Sequence, residues 1–528
     1  MSPSPKGYLA LVLHAHLPYV RHPEQERFLE ESWLFEAIAE SYLPLLKVFE
    51  GWSRDGMPWR LTMTLSPTLC TMLRDPLLQD RCERYLNGLV ELAEKECLRT
   101  RWDKAFHPLA NQYLERFQSL RQSYTDHRRD LVAAFARHQS EGHLEIITTA
   151  ATHALLPLLA SHPPSLKAQI AVGRDTYSEH FGVEPRGFWL PECAYAEGID
   201  EELQKAGLRW FITDSHGLLH ARPKPRYGVF APVFTPHGMA AFARDLDSSR
   251  QVWSKDIGYP GDPRYRDFYR DIGYDLDLDY VRPYMATPDA RSFTGIKYHA
   301  ITGSGGEKQV YDRSAALQAA ANHAGHFLEQ RVRHVEDLSR IMDCPPILVA
   351  PYDAELFGHW WFEGPEFLDM LVRKLVYDQN TVGLVTPAEH LQQHPTQQVV
   401  TPSASSWGDE GYYAMWLNES NQWIYPHLRV AQDRLTQLVR DHPNASGLIQ
   451  RALQQAAREL LLAQSSDWPF ILRTGTHPEY AKARVTDHLV RFIALHEQLT
   501  TTHVDGFWLN RVQASDNLFP TIKPDYWA

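Results

Sequence analysis

Short runs of aliphatic, β-branched and aromatic residues recur along the chain, and longer stretches with apolar positions at helical spacing separate them. The runs predict strands at Tyr8–Leu13, Arg60–Leu65, Leu144–Thr149, Gly187–Leu190, Arg209–Thr213, Gly295–His299, Ile347–Pro351 and Val382–Val385. Helices are predicted between them at Ser165–Phe181, Asp200–Gly207, Ser314–Met342 and Pro365–Asp378. Strands alternating with helices imply parallel pairing, and a parallel α/β barrel, complete or lacking one unit, is the economical way to bury every strand.

Two stretches break this rhythm. Residues 75–138 read as charged amphipathic helix without a strand, an inserted helical subdomain. Residues 218–276 are rich in Pro, Gly, Tyr and Arg and read as a long loop region walling the active site, because loops after barrel strands carry the chemistry. Beyond residue 398 a Ser/Pro stretch and an aromatic segment lead into helices at His427–Asp441, Ala445–Ala463 and Tyr480–Leu499. The expected division is a catalytic barrel over 1–398 and a C-terminal helical domain over 399–528 that contributes substrate contacts.

Composition narrows the function. The 528 residues carry 53 Lys and Arg against 65 Asp and Glu, a net charge of −12, so no basic surface is available for nucleic acid. No window reaches the ~20 apolar residues of a membrane span. Five cysteines without CxxC spacing argue against a disulfide framework or a structural zinc site, and a reducing, cytoplasmic setting is expected. Aromatic residues make up 12%, including 15 Trp and 24 Tyr, which suits either a large core or platforms for sugar faces.

The candidate chemistry sits where strands end. His14-Ala-His16 closes the first strand, and two readings compete for it: the opening of a metal site, or neutral hydrogen-bond donors to a polar substrate. Glu192 follows the strand Gly187-Phe-Trp-Leu, between Trp189 and Tyr195. Asp353 repeats this grammar after Ile347-Leu-Val-Ala-Pro-Tyr, ahead of Phe357, Trp360 and Trp361. Two carboxylates on different strand ends, set among aromatics, are the minimum equipment of a glycosidase. Glu355, two residues on, shares Asp353's face if the strand continues, so spacing leaves the two unresolved. Ion pairs with barrel arginines are the competing structural explanation for both. No GxSxG, Walker A or GxGxxG motif is present, and Cys193 reads as packing.

Four ordered motifs resemble those of glycoside hydrolase family 57, most closely its 1,4-α-glucan branching enzymes. These are His14-Ala-His16-Leu-Pro-Tyr, Gly187-Phe-Trp-Leu-Pro-Glu192-Cys-Ala-Tyr, Ala350-Pro-Tyr-Asp353-Ala-Glu-Leu-Phe-Gly-His-Trp-Trp, and Ser406-Trp407-Gly-Asp-Glu-Gly-Tyr-Tyr-Ala-Met-Trp416. The resemblance implies an incomplete parallel (β/α)7 barrel and a retaining mechanism with no cofactor and no metal, with Glu192 as nucleophile and Asp353 as acid/base. It implies substrate contacts at Arg244, Gly261, Trp407 and Asp467, and at Thr476, which stands where the family has Gln. His14, His16 and His153 would line the reaction subsite, Trp416 would stack on a distal sugar, and Tyr227 would be the loop residue that shields the intermediate. The implied partner is an α-1,4-glucan handled by a monomer or weak homo-oligomer. Three other readings stay open: an α-amylase or 4-α-glucanotransferase on the same scaffold, a metal-dependent deacetylase or amidohydrolase built on His14 and His16, and a non-catalytic glucan-binding protein.

Overall fold

A computed structural model describes residues 4–254, 257–287, 290–303 and 307–528, so residues 255 and 256 of the predicted loop region lie outside it. The strands are β1 (Gly7–Ala15), β2 (Leu61–Leu65), β3 (Leu144–Thr149), β4 (Gly187–Trp189), β5 (Trp210–Thr213), β6 (Val233–Phe234), β7 (Ala240–Ala243), β8 (Ile347–Asp353) and β9 (Val382–Leu384). Parallel pairing runs β8-β1-β2-β3-β4-β5-β7. Between its ends the sheet closes through a bridge, where the Asp245 amide donates to the Val349 carbonyl at 2.8 Å and Arg244 faces Val349. The result is a curled seven-strand barrel with a weak seam. Short β6 pairs antiparallel with β7, and β9 pairs with Gly7–Leu9 at the start of β1.

Strand alternation builds both the core and the site. Ala10 and Val12 of β1, Trp210 and Ile212 of β5, Ala240 and Phe242 of β7, and Ile347 and Val349 of β8 fill one cluster inside the barrel. The intervening Leu9, Leu11 and Leu13 of β1, and Leu348, Ala350 and Tyr352 of β8, pack into the surrounding helices. Carried one step further along each strand, the inward parity falls on His14, Asp214, Arg244 and, past Pro351, Asp353.

Two expectations about strands need correction. Gly295–His299 is not a strand: Tyr298 donates to Glu96 at 2.8 Å and the Lys297 ammonium lies 4.4 Å from the Phe268 ring, so the segment packs against the helical insert. The strand it displaced is β7, inside the stretch read as continuous loop. Residues 75–138 hold the long helices Pro76–Arg99 and His107–Asp126, while Leu131–Ser140 runs back toward β3. Tyr280 and Tyr284 donate to Glu96 and Glu91 at 2.9 and 2.6 Å, so the segment after residue 257 roofs the insert. The C-terminal part holds Ile424–Asp441, Gly447–Ala463, Asp467–Thr474, Pro478–Thr500 and Gly506–Ser515. It reaches the barrel mouth through a bridge between Ser465 and Ala154.

Candidate active site

Every strand of the parallel barrel delivers a polar residue at its C-terminal end. His14 lies at the end of β1 and His16 just beyond it, Ser66 follows β2, His153 follows β3, Glu192 follows β4, Asp214 follows β5, Arg244 follows β7, and Asp353 ends β8 with Glu355 just beyond. This is the face on which barrel enzymes assemble their sites.

Glu192 sits in the tight turn Pro191–Cys193, where both Glu192 and Cys193 have positive φ (63° and 50°); His153 is also left-handed at 55°. Such backbone costs about 1–3 kcal/mol per residue and persists where the surroundings over-determine it. The Glu192 carboxylate accepts from the Trp407 indole Nε1 at 2.6 Å and from the Ser466 hydroxyl at 2.8 Å. Burial pushes its pKa up to about 7, against the pull of these two donors. Asp353 is held far above the ordinary carboxylate range, first by burial and then by the charges of Glu355 and Glu192. Among the described residues no hydrogen bond reaches the Asp353 carboxyl group. Two donors favour the charged form of Glu192 and none favours that of Asp353, so the proton stays on Asp353.

Glu355 does not continue the strand. It lies in the turn Ala354–Leu356, where its carboxylate accepts from the Tyr42 hydroxyl and from the His16 amide. This orients the loop after β1 and leaves Asp353 alone facing the barrel axis.

The three histidines form a stack. The His16 and His153 ring centroids lie 4.0 Å apart with planes 21° from parallel, and His14 packs on Trp189 at 4.6 Å. Nε2 of His14 and Nε2 of His153 share a hydrogen bond at 3.0 Å, so one ring donates and the other accepts. Burial keeps both His14 and His153 neutral. Burial also opposes charge on His16, but Asp467, bonded to its Nε2 at 3.1 Å, together with Glu192 and Glu355, raises its pKa. The groups of three ligand atoms able to hold an ion, among the described residues, are Asp245 with Asp247 and His334, and Glu459 with His488 and Asp516; His14 and His16 belong to neither.

Arg244 pairs with Asp214 at 2.7 Å, and Asp214 also accepts from His216 Nδ1 at 3.0 Å. Gly261 lies in the turn Tyr259–Gly261, whose Tyr259 stacks on His323 rather than on any residue of the carboxylate cluster. Thr476 is exposed and shares a hydrogen bond with Thr474 at 3.0 Å, outside the cluster. Two expectations are corrected. Trp416 is buried among Leu155 and Ala194 with 1% of its surface exposed, so it has no face to offer a sugar. Tyr227 bonds through its hydroxyl to Asp343, which precedes β8, while Asp353 ends that strand. At about 3.3 Å per residue the strand puts roughly 20 Å between the two, and Tyr227 stands at the wrong end of the barrel to cover Glu192. Sequence reasoning missed Ser466 and Asp214. Asp214 obeys the grammar of Glu192 and Asp353, a carboxylate directly after an apolar strand, whereas Ser466 has no such signal.

Residues 10–403 match the sequence model of glycosyl hydrolase family 57. The chain belongs to this family. Residues 427–527 match a second model, described as the C-terminal part of 1,4-alpha-glucan branching enzyme. The 1,4-alpha-glucan branching enzyme TK1436 of Thermococcus kodakarensis is 34% identical over 99% of this chain and 78% of that protein. Its crystal structure aligns with a TM-score of 0.90 at 32% identity, covering 99% of this chain and 96% of that one. The alpha-amylase AmyC of Thermotoga maritima aligns with a TM-score of 0.93 at 42% identity, covering 100% and 99%. Relatives of this family 57 chain therefore carry two different activity names on one fold.

Proposed function

We propose that the chain is a 1,4-α-glucan branching enzyme working by a retaining mechanism. The observation that carries the glycosidic chemistry is the unequal treatment of the two carboxylates: Glu192 receives two hydrogen-bond donors and Asp353 none. Glu192 attacks the anomeric carbon of an α-1,4-linked glucose while Asp353 gives its proton to the departing glycosidic oxygen, leaving a covalent glycosyl-enzyme. Asp353, now a base, takes the proton of an incoming 6-hydroxyl, and attack by that oxygen on the anomeric carbon breaks the bond to Glu192, frees its carboxylate and forms the α-1,6 branch. His14 and His153, their pKa values lowered by burial, His16, its own raised by Asp467, and Arg244, Trp407 and Asp467 surround the reacting sugar. The choice of branching rests on similarity to branching enzymes along the chain, including the C-terminal segment.

A second reading, α-amylase, is favoured by the 42% identity with AmyC across the full length of both chains. Water rather than a 6-hydroxyl would then resolve the intermediate. Among the described residues no helix is long and apolar enough to cross a membrane. We place the chain in the cytoplasm, as a monomer or weak homo-oligomer with a catalytic barrel over 1–398 and a helical domain over 399–528, acting on amylose- or glycogen-type glucan.

Incubation with amylose, followed by a count of reducing ends before and after enzymatic debranching, tests the proposal. Few ends before and many after are expected. Many ends before debranching and no increase afterwards would identify an amylase.

A further inference from the structure

The loop after Asp353 carries adjacent tryptophans with opposite fates. Trp361 is buried, its amide donating to the Leu356 carbonyl at 2.9 Å. Trp360 leaves 55% of its surface exposed. Its ring stacks on Phe268, with centroids 4.7 Å apart and planes 25° from parallel. Phe268 is braced in turn by the Lys297 ammonium at 4.4 Å and by the edges of Phe293 at 5.5 Å and His359 at 5.3 Å.

This exposed ring is held in place. The Trp360 amide donates to the Glu355 carbonyl at 3.2 Å, and His359 Nδ1 bonds Glu40 at 2.6 Å. Gly358, at a φ of +115°, lies so close to the Glu40 carbonyl that a Cβ there would sit 1.8 Å from the oxygen. No other residue fits the turn that sends Trp361 inward and Trp360 outward. Tyr269, 73% exposed, extends the aromatic surface beyond Phe268. A large apolar ring fixed in this way has its ordering cost met before any ligand arrives.

We infer that Trp360, seated on Phe268, is a stacking platform for the glucan on the leaving-group and acceptor side of the cleft. The side follows from the chemistry: Asp353 handles the oxygen that departs and then the oxygen that arrives, and Trp360 stands on the loop that leaves Asp353. The occupant is a pyranose face, whose axial C–H groups match an indole plane as its hydroxyls do not. This inference rests on the assignment of Asp353 as acid/base under the proposed function. A platform here holds the acceptor chain through the life of the glycosyl-enzyme and so favours transfer over attack by water.

The test uses the full chain carrying Glu192→Gln, titrated with maltoheptaose in a calorimeter. Adding Trp360→Ala is expected to raise Kd by on the order of tenfold, the scale of losing a large apolar contact, while Trp360→Phe restores most of the affinity. In the otherwise unchanged enzyme, Trp360→Ala should raise the share of cleavage events that end on water, and Trp360→Phe should not. If Trp360→Ala fails to fold, Phe268→Ala removes the support of the ring and should weaken binding in the same direction. An unchanged Kd in a variant of unchanged melting temperature overturns the inference, as does equal loss with Phe and Ala. Should the wild type form no α-1,6 branches while Trp360→Ala still weakens binding, the branching assignment fails and the platform stands.

Discussion

Trp407 is bonded to Glu192 twice: its indole Nε1 donates to the carboxylate at 2.6 Å, and its amide donates to the Glu192 carbonyl at 2.9 Å. The second bond holds the left-handed turn in place, and the first favours the charge on the carboxylate. Trp407→Phe keeps the amide and an aromatic ring, smaller than the indole, but deletes the side-chain donor. A hydrogen bond to a charged group is worth about 1.5–3 kcal/mol, so kcat/KM should fall on the order of 10- to 100-fold. The pH at which activity sets in should also move upward, because Glu192 becomes harder to ionise. An unmoved acid limb in a pH–rate profile would count against this role.

The wild-type profile should be a bell. Activity rises as Glu192 loses its proton near its raised value of about 7 and falls as Asp353 loses its own at higher pH. Glu355 is the first charge, after burial itself, that holds Asp353 up. Glu355→Gln should therefore bring the basic limb to lower pH. A basic limb that stays in place would show that burial alone sets Asp353.

The pair between His16 and Asp467 makes a stability prediction with a defined window. His16 is raised in the folded state, so its contribution is complete below about pH 6.5 and fades as pH climbs through the raised value. Burial works against the Asp467 charge, but His16 outweighs it and lowers the pKa; its contribution is complete above about pH 3.9 and fades as pH drops through the lowered value. Asp467→Asn should thus lower the melting temperature more at pH 5.5 than at pH 9. Equal losses at both would mean that the carboxylate acts only as a neutral hydrogen-bond partner.

Tyr227 belongs to the opposite end of the barrel through its bond to Asp343. Tyr227→Ala should leave the ratio of branches to reducing ends unchanged in the amylose assay. A rise in hydrolysis would return Tyr227 to the cleft.

Period-two alternation made most of the barrel readable, since Ala10-x-Val12-x-His14 and Ile347-x-Val349-x-Pro351-x-Asp353 announce both the core and the residue that crowns it. The strand Ala240-Ala-Phe-Ala243 escaped because it lacks β-branched residues and lies between Pro- and Gly-rich segments. Gly295-Ile-Lys-Tyr-His299 misled because the same residue types also suit an irregular segment packed on helices. The role of Glu355 turned on where β8 stops, a boundary that alternation does not mark. Ser466 was out of reach: it meets Glu192 across 274 positions, and nothing local distinguishes it from the serine beside it.

The most direct test of the catalytic assignment is to trap the intermediate. Asp353→Ala removes the acid/base, while an activated α-maltosyl fluoride carrying a 5-fluoro substituent needs no acid to depart and yields a slowly resolved glycosyl-enzyme. Peptide mass spectrometry of that mixture should find the sugar on Glu192. Label on Glu355 or another carboxylate, or no label while the wild type consumes the fluoride, would contradict Glu192 as the nucleophile.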